Sequence, residues 1–475
     1  MLLYSFSFFV FFFLVFVLFW KLRKQFQWII LLLASYYFYV SWKPAYLGII
    51  ILTTLICYFC AKAIESTKNN KKFYLFLALI FSLGSLFIFQ YLDFFSITVN
   101  QVFGFSLPQF KILLPLGISF YTLTVIGYMI DVYKGKIKPE KHLGHFALFV
   151  SFFPKITAGP IERGANLLPQ LKKKFVFDYA LVSEGARLFM LGLFKKMVIA
   201  DNLGIIVDRG FGSLSDYKGL SLILIIFFYS WQIYMDFSGY TDMARGIGKM
   251  LGINLMENFN LPYLSSSIQD FWRRWHISFS SWLRDYIYFP LGGNRKGLIR
   301  TVINTLIVFT ISGLWHGAGW TFIIWGVLHG LGLSFERVLK ALYANRLTIK
   351  IPNILKIAYA YCLISIFWVF FRSPTINDAI YILRNAPVGL KHFLSPNYLW
   401  ASLMQLFVFD RIEMIITFGV VLIAILLEIM QRKTSILKIV SKQPMIVRFT
   451  IYILVIFMII QLRNANIPAF IYTQF

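Results

Sequence analysis

The sequence predicts an all-α, polytopic membrane protein, and three observations lead to that prediction. Of the 475 residues, 59% are hydrophobic and 19% are aromatic, more apolar side chain than a water-soluble chain of this length can bury. Charged residues make up only 14%, whereas soluble domains usually contain about 25%. Apolar stretches of about 20 residues, the length that crosses a bilayer as a helix, recur along the whole chain.

About 11–12 transmembrane helices are predicted, because a helix needs about 20 apolar residues to cross the hydrocarbon core. The first stretch lacks the basic segment that precedes the apolar core of a cleaved signal peptide, so we expect it to be retained as a helix. The candidates lie near residues 1–20, 27–42, 46–61, 73–92, 112–130, 184–200, 219–235, 299–314, 318–335, 355–371, 411–430 and 447–462.

Basic residues indicate the orientation of the chain. Lys and Arg number 46 against 20 Asp and Glu, a formal charge of +26, yet they lie in short runs between apolar stretches. This distribution argues against a nucleic-acid partner and follows the positive-inside pattern of membrane proteins. Runs at 21–24, 62–72 and 134–141 are therefore assigned to the cytoplasm. Residues 91–110, whose only charge is Asp93, are assigned to the outside, together with the N-terminus.

Three regions follow from this hydropathy. Residues 1–110 contain N-terminal transmembrane helices, 111–372 form a central core, and 373–475 form an interfacial loop followed by C-terminal transmembrane helices. Within the core, 142–160 and 262–291 are too polar or too short to cross, yet too apolar for free loops. Irregular backbone at membrane depth is tolerated only where protein buries it or water fills a cavity. These stretches therefore predict re-entrant or interfacial helices around an internal cavity.

The cysteines and half of the histidines offer no candidate site. All three cysteines lie in apolar stretches, which supports neither a disulfide framework nor a zinc site, and we expect no metal. Two of the histidines lie in a basic loop, where we expect their side chains to be solvated. The residues concerned are Cys57, Cys60, Cys362, His142, His145 and His392.

The segment 261–330 is the most informative, because it combines three of the six histidines with many Trp, Arg and Gly residues. If residues 269–291 are helical, Trp272, Trp275 and His276 share one face. An interfacial amphipathic helix, anchored by Trp and Arg, explains this pattern without catalysis. The turn 292–297 that follows is either a phosphate-binding loop or a cytoplasmic topology signal, and the sequence supports both interpretations equally.

His316 is an ionisable residue among small residues between two apolar runs, which makes it a functional candidate. On a continuous helix His329 lies roughly 220° around from His316, so the two need not share a site. The alternative for both is a hydrogen-bonded packing histidine.

Several motifs, taken in order, resemble one family. The sequence resembles the bacterial membrane-bound O-acyltransferase (MBOAT) family, and most closely its branch that O-acetylates alginate, cellulose and peptidoglycan. The resemblance covers roughly residues 110–372. The motifs are Phe-Trp-Arg-Arg-Trp-His at 271–276, Tyr-Phe-Pro-Leu-Gly-Gly at 288–293 and Leu-Trp-His-Gly-Ala at 314–318, supported by stretches at 115–120, 153–161, 192–196 and 236–242.

The resemblance implies a central tunnel with His316 as catalytic residue and His276 as second histidine. Neutral imidazole is suited to take a proton from an acceptor hydroxyl, and a second histidine can orient the acceptor or polarise the thioester carbonyl. Asp236 and Asp242 follow a predicted span, where helix capping explains them about as well. Residues expected to bind the donor are Arg273, Arg274, Trp275, Asn294, Arg295 and Lys296. Residues expected to line or support the tunnel are Asp236, Ser238, Tyr240, Asp242 and Trp315.

The activity implied by the resemblance is O-acetylation of an extracytoplasmic polysaccharide, an exopolysaccharide or peptidoglycan, by a protein of the bacterial inner membrane. Acetyl-CoA from the cytoplasm is the expected donor and membrane lipid the expected surroundings. A separate extracytoplasmic esterase-like partner is expected, because the sequence has no Gly-x-Ser-x-Gly element. The alternatives are D-alanyl transfer to teichoic acid and, from a different class, a polysaccharide exporter.

The alternation of loop charges predicts that Lys68 to Lys72 face the cytoplasm and Tyr91 to Phe110 face outward. Single cysteines placed near 70 and near 100, in a background with the native cysteines replaced, are labelled in intact cells with an impermeant maleimide. We expect labelling near 100 only. Labelling near 70 but not near 100 contradicts this topology.

Overall fold

The computed structural model describes residues 1–343, 351–432 and 434–463. All regular secondary structure in these ranges is helical, so the predicted all-α class is confirmed. The α-helices are α1 (Phe6–Lys21), α2 (Gln27–Val40), α3 (Leu47–Ser66), α4 (Lys71–Leu86), α5 (Leu92–Phe103), α6 (Ile118–Tyr133), α7 (Leu143–Ser151), α8 (Phe153–Ile156), α9 (Gly164–Leu171), α10 (Tyr179–Phe194), α11 (Asp201–Gly212), α12 (Leu220–Met250), α13 (Ile268–Arg274), α14 (Ile277–Leu283), α15 (Gly297–His316), α16 (Trp320–Tyr343), α17 (Asn353–Arg372), α18 (Ile376–Asn385), α19 (Pro396–Leu406), α20 (Arg411–Gln431), α21 (Ile436–Ser441) and α22 (Met445–Gln461).

Within the described residues, seven helical segments are long and apolar enough to cross a bilayer. They are Pro44–Ser66, Lys71–Phe103, Leu220–Met250, Gly297–His316, Trp320–Leu342, Asn353–Arg372 and Arg411–Gln431. Three shorter apolar helices, α1, α6 and α22, have 16, 16 and 17 residues. The multi-pass membrane architecture is therefore confirmed. The other predicted spans form shorter helices. The predicted span near 184–200 is a helix that contains buried charged residues.

The stretches expected not to cross the membrane are short helices. Residues 142–160 form α7 and α8, of 9 and 4 residues. Residues 262–291 form α13 and α14, of 7 residues each, followed by a π-helical turn. Each is much shorter than the roughly 20 residues that span a bilayer. The loop after α17 also contains short helices, α18 and α19. The division at 110 and 372 stays a prediction.

The chain forms two compact units, residues 1–190 with 240–257 and residues 191–239 with 258–475. In the first unit the core is aromatic. The rings of Phe8, Phe38 and Phe153 lie 6.0–6.4 Å apart, joining α1, α2 and α8. Tyr128 of α6 accepts a hydrogen bond from the amide of Glu140, at 2.8 Å.

In the second unit, α15 and α16 form an antiparallel pair packed through glycines. A Cβ atom on Gly313 would overlap the carbonyl oxygen of Phe322, and a Cβ on Gly326 would overlap that of Phe309. The two backbones therefore approach as closely as small residues allow in membrane helices. The turn between the helices spans Gly317–Gly319, and this hairpin fixes the end of α15, where His316 is the last helical residue.

We predict that Gly326→Ala destabilises the protein by about 1–3 kcal/mol, because the added methyl group overpacks the α15–α16 contact. Gly419→Ala is the matched control, since Gly419 lies in helix α20 and a Cβ there meets nothing within 4 Å. Alanine favours a helix over glycine by up to about 1 kcal/mol. Thermal melts of the purified variants should show a lower midpoint for Gly326→Ala only. Equal midpoints contradict the close packing.

Candidate active site

A sharp backbone turn presents His276. Helix α13 ends at Arg274, Trp275 is extended, and His276 has φ 44° and ψ 52°, in the left-handed region. Helix α14 then begins at Ile277. The single amphipathic helix expected over 269–291 is therefore wrong, because the chain leaves the helical path at these two residues. Non-glycine residues rarely adopt this conformation, which clusters at functional sites.

The turn brings His276 to His316. Their ring centroids are 6.3 Å apart, and the two side chains are 0% and 3% exposed. Aromatic rings surround the pair. The ring of Phe237 lies 4.7 Å from His276, Phe279 stacks on Trp315 at 4.2 Å, and Phe279 lies 5.3 Å from His316. Among the sequence candidates the structure therefore brings together His276, His316 and Trp315.

Hydrogen bonding sets the tautomer of His316. Its Nδ1 lies 2.6 Å from the carbonyl oxygen of Ser312, one turn earlier in α15. Since a carbonyl only accepts, Nδ1 carries the proton and donates. In the neutral ring the basic lone pair is then on Nε2. His316 thus has the form that a general base requires.

His329 lies in the same aromatic cluster, because α15 and α16 are not one continuous helix. The chain turns back after His316, and the ring of Trp325 lies 4.8 Å from His316 and 4.9 Å from His329. The indole Nε1–H of Trp272 donates to Nδ1 of His329 at 3.1 Å. His329 is 0% exposed. These contacts fit a hydrogen-bonded packing histidine, the alternative that the sequence left open.

A cavity of about 790 Å³ lies beside α13–α15 and α16. Four cationic side chains line it, Arg273, Arg284, Arg337 and Lys340, and no carboxylate is among its lining residues. Arg337 is held in place, because it donates to Thr305 Oγ1 at 2.6 Å and packs over an aromatic ring. Such a cavity suits an anionic ligand that also has apolar parts.

One face of α15 connects this cavity with His316. Thr301, Thr305 and Val308 line the cavity. Ser312 and His316 follow at the same spacing of three or four residues. All five residues therefore form one stripe along a single face of α15. Val308 and His316 are eight residues apart, or about 12 Å along the axis. The cavity wall therefore leads directly towards the histidine pair.

Only part of the expected donor set assembles. Arg273 and Asn294 line the cavity. Arg274 instead pairs with Asp270, at 2.9 Å on the neighbouring helical turn. Trp275 is 0% exposed and packs within the aromatic core.

Arg295 and Lys296 are exposed and do not line the cavity. Arg284, Arg337 and Lys340 occupy it instead, and sequence reasoning missed all three. In the sequence they stand out only as basic residues at the ends of apolar stretches. Basic residues in such positions are expected in any membrane protein, because they set the orientation of its helices. The fold is needed to see that they converge.

The other supporting candidates lie within α12 and do not follow a span, so the capping explanation for Asp236 and Asp242 is wrong. Asp236 is 1% exposed and pairs with Lys196 at 2.7 Å, as does Asp201 at 2.7 Å. Ser238 is 1% exposed.

Tyr240 and Asp242, in the last turns of α12, make contacts within the first unit. The hydroxyl of Tyr240 forms a hydrogen bond with that of Thr157. Asp242 pairs with Arg245 at 3.4 Å.

The described residues thus form a multi-pass membrane protein with a buried histidine pair. Residues 140–372 match the model of MBOAT, the membrane-bound O-acyltransferase family. A peptidoglycan O-acetyltransferase of Helicobacter pylori is 40% identical over 389 residues, which cover 76% of this chain and 73% of that protein. A probable alginate O-acetylase of Azotobacter vinelandii is 41% identical over 358 residues, 74% of this chain and 70% of that protein.

A teichoic acid D-alanyltransferase of Bacillus subtilis is 31% identical over 233 residues, which cover 47% of this chain and 59% of that protein. The chain belongs to the membrane-bound O-acyltransferase (MBOAT) family and is an O-acyltransferase. The enzymatic interpretation of the sequence is therefore confirmed.

We predict that His316→Ala lowers acyl transfer by about 10²–10⁴-fold, the usual contribution of a general base. His276→Ala should also impair turnover, and His329→Ala should be milder. Losing a buried polar partner costs about 1–3 kcal/mol, so thermal melts and elution profiles must accompany the transfer assay. A well-folded His316→Ala protein with near wild-type activity contradicts the assignment.

Proposed function

We propose that this protein is an O-acetyltransferase of the bacterial cytoplasmic membrane. It takes acetyl from cytoplasmic acetyl-CoA and passes it across the membrane for O-acetylation of an extracytoplasmic polysaccharide, an exopolysaccharide or peptidoglycan. Its N-terminus is extracytoplasmic. A separate extracytoplasmic esterase-like partner completes the transfer to the glycan.

The observation that carries this proposal is the cationic cavity whose α15 wall leads to His316. Coenzyme A has several phosphate charges and a long thioester arm. Arg273, Arg284, Arg337 and Lys340 supply the matching charges, while the arm follows the stripe of Thr301, Thr305 and Val308 towards the histidines. Arginine is well suited to phosphate because its planar fork donates two hydrogen bonds together.

The orientation of α15 supports transfer across the membrane. The basic loops assign the turn before Gly297 to the cytoplasm, and α15 extends about 30 Å from there to His316. The donor then enters at the N-terminal end of this helix. The acceptor hydroxyl reaches the histidines from the opposite side.

The chemistry at the pair is the first acyl transfer, and the partner carries out the later transfer to the glycan. Nε2 of His316 takes the proton of the acceptor hydroxyl as its oxygen attacks the thioester carbonyl. The C–S bond breaks, the acetyl group stays on the acceptor oxygen, and the thiolate of coenzyme A receives the proton. His276, 6.3 Å from His316 between ring centroids, orients the acceptor or polarises the carbonyl.

D-alanyl transfer to teichoic acid is the second candidate within the family. Its donor and carrier differ from those of acetyl transfer. The relative with that name is also less similar, at 31% identity over 47% of this chain. Acetyl transfer therefore accounts for more of the observations.

We predict that the double variant Arg337→Gln/Lys340→Gln raises the KM for acetyl-CoA several-fold, because each partly exposed ion contact contributes under about 1 kcal/mol. Arg295→Gln/Lys296→Gln is the control, since it removes the same charge outside the cavity. Release of free coenzyme A from acetyl-CoA by the purified protein provides the assay. An equal change in KM for both variants contradicts the assigned donor site.

A further inference from the structure

The strained turn at His276 is held from outside its own helix. Residues at the start of a helix usually cap its first N–H groups with a side chain. His276 occupies the capping position of α14, and its side chain makes no such hydrogen bond. The caps come from Asn258, eighteen residues earlier in the chain.

Asn258 provides two acceptors to α14. Its carbonyl oxygen accepts from the amide of Ile277 at 2.9 Å, and its side-chain Oδ1 accepts from the amide of Ser278 at 3.3 Å. On the other side of the turn, the amide of Asn260 donates to the carbonyl of Arg274 at 2.9 Å. The segment 258–260 thus binds the backbone on both sides of His276, at Arg274 and at Ile277–Ser278.

The Asn258 side chain is 1% exposed, so water does not substitute for these contacts. An amide N–H donor requires an oxygen acceptor, and the bond from Ser278 therefore fixes which end of the side-chain amide faces α14. Its Nδ2 has no acceptor among the residues that the structure describes. Oδ1 is accordingly the atom through which the side chain acts.

We propose that Asn258 is a positioning residue for His276. A left-handed non-glycine conformation persists only when the surrounding structure determines it, and Asn258 supplies that constraint. Without Oδ1 the turn relaxes, and the imidazole of His276 moves relative to His316. A misplacement of about 1 Å in a catalytic group costs about 10²-fold in rate. This inference rests on the proposed roles of the two histidines in acetyl transfer.

Asn258→Ala and Asn258→Asp form the decisive pair. Alanine removes Oδ1, whereas aspartate keeps an acceptor at the same position, where a negative charge at a helix N-terminus is favourable. We expect Asn258→Ala to lower kcat by about 10–10²-fold with little change in the KM for acetyl-CoA. Asn258→Asp should recover most of the turnover. If folded Asn258→Asp is as inactive as Asn258→Ala, the proposal is overturned.

A double-mutant cycle separates positioning from a general loss of structure. In a His276→Ala background, Asn258→Ala should lower the remaining turnover by less than about two-fold, because the group it positions is already absent. The same factor of loss in both backgrounds overturns the proposal. Thermal melts identify any variant that fails to fold. If Asn258→Ala does not fold, the turnover of folded Asn258→Asp alone decides the proposal.

Two reference measurements keep this test distinct from that of the proposed function. Wild-type protein that releases no coenzyme A, or a His316→Ala protein that retains full turnover, contradicts the proposed function itself. If both references behave as expected and folded Asn258→Ala still keeps wild-type kcat, only the role of Asn258 is overturned.

Discussion

The close approach of α15 and α16 is the constraint on which the candidate site depends. Small residues at Gly313 and Gly326 let the two backbones meet, and the turn after His316 reverses the chain. This geometry brings Trp325 between His316 and His329. In a bilayer, where lipid is as apolar as the side chains, such packing is a main source of helix association.

The basic residues of this protein serve two purposes that the sequence alone cannot separate. Lysines and arginines at the ends of apolar stretches orient the chain in the membrane. Arg337 and Lys340 are of this kind, yet they also converge on the cavity with Arg273 and Arg284. The cavity and the topology signal thus share basic residues, which explains why the sequence pointed to Arg295 and Lys296 instead.

Composition and hydropathy were sufficient to predict the all-α membrane class, and the Trp-His-Gly motif was sufficient to select His316. The break at His276 was not predictable, because periodicity extrapolates a helix through any residue that is not Gly or Pro. The contact between Asn258 and α14 was equally hidden, since it joins distant residues through hydrogen bonds that no spacing rule encodes. Local pattern therefore identified the candidate reacting groups, and tertiary structure identified the residues that contact them.

Helix α15 runs without interruption from Gly297, at the cavity, to His316. Its peptide dipoles add to about half a positive charge at the N-terminal end, near Gly297, and about half a negative charge at the C-terminal end, near His316. In the proposed reaction, the positive end favours the phosphates of the donor. The negative end stabilises the imidazolium that would form when His316 accepts a proton. In that proposal, the field of one helix therefore acts on both the bound donor and the histidine.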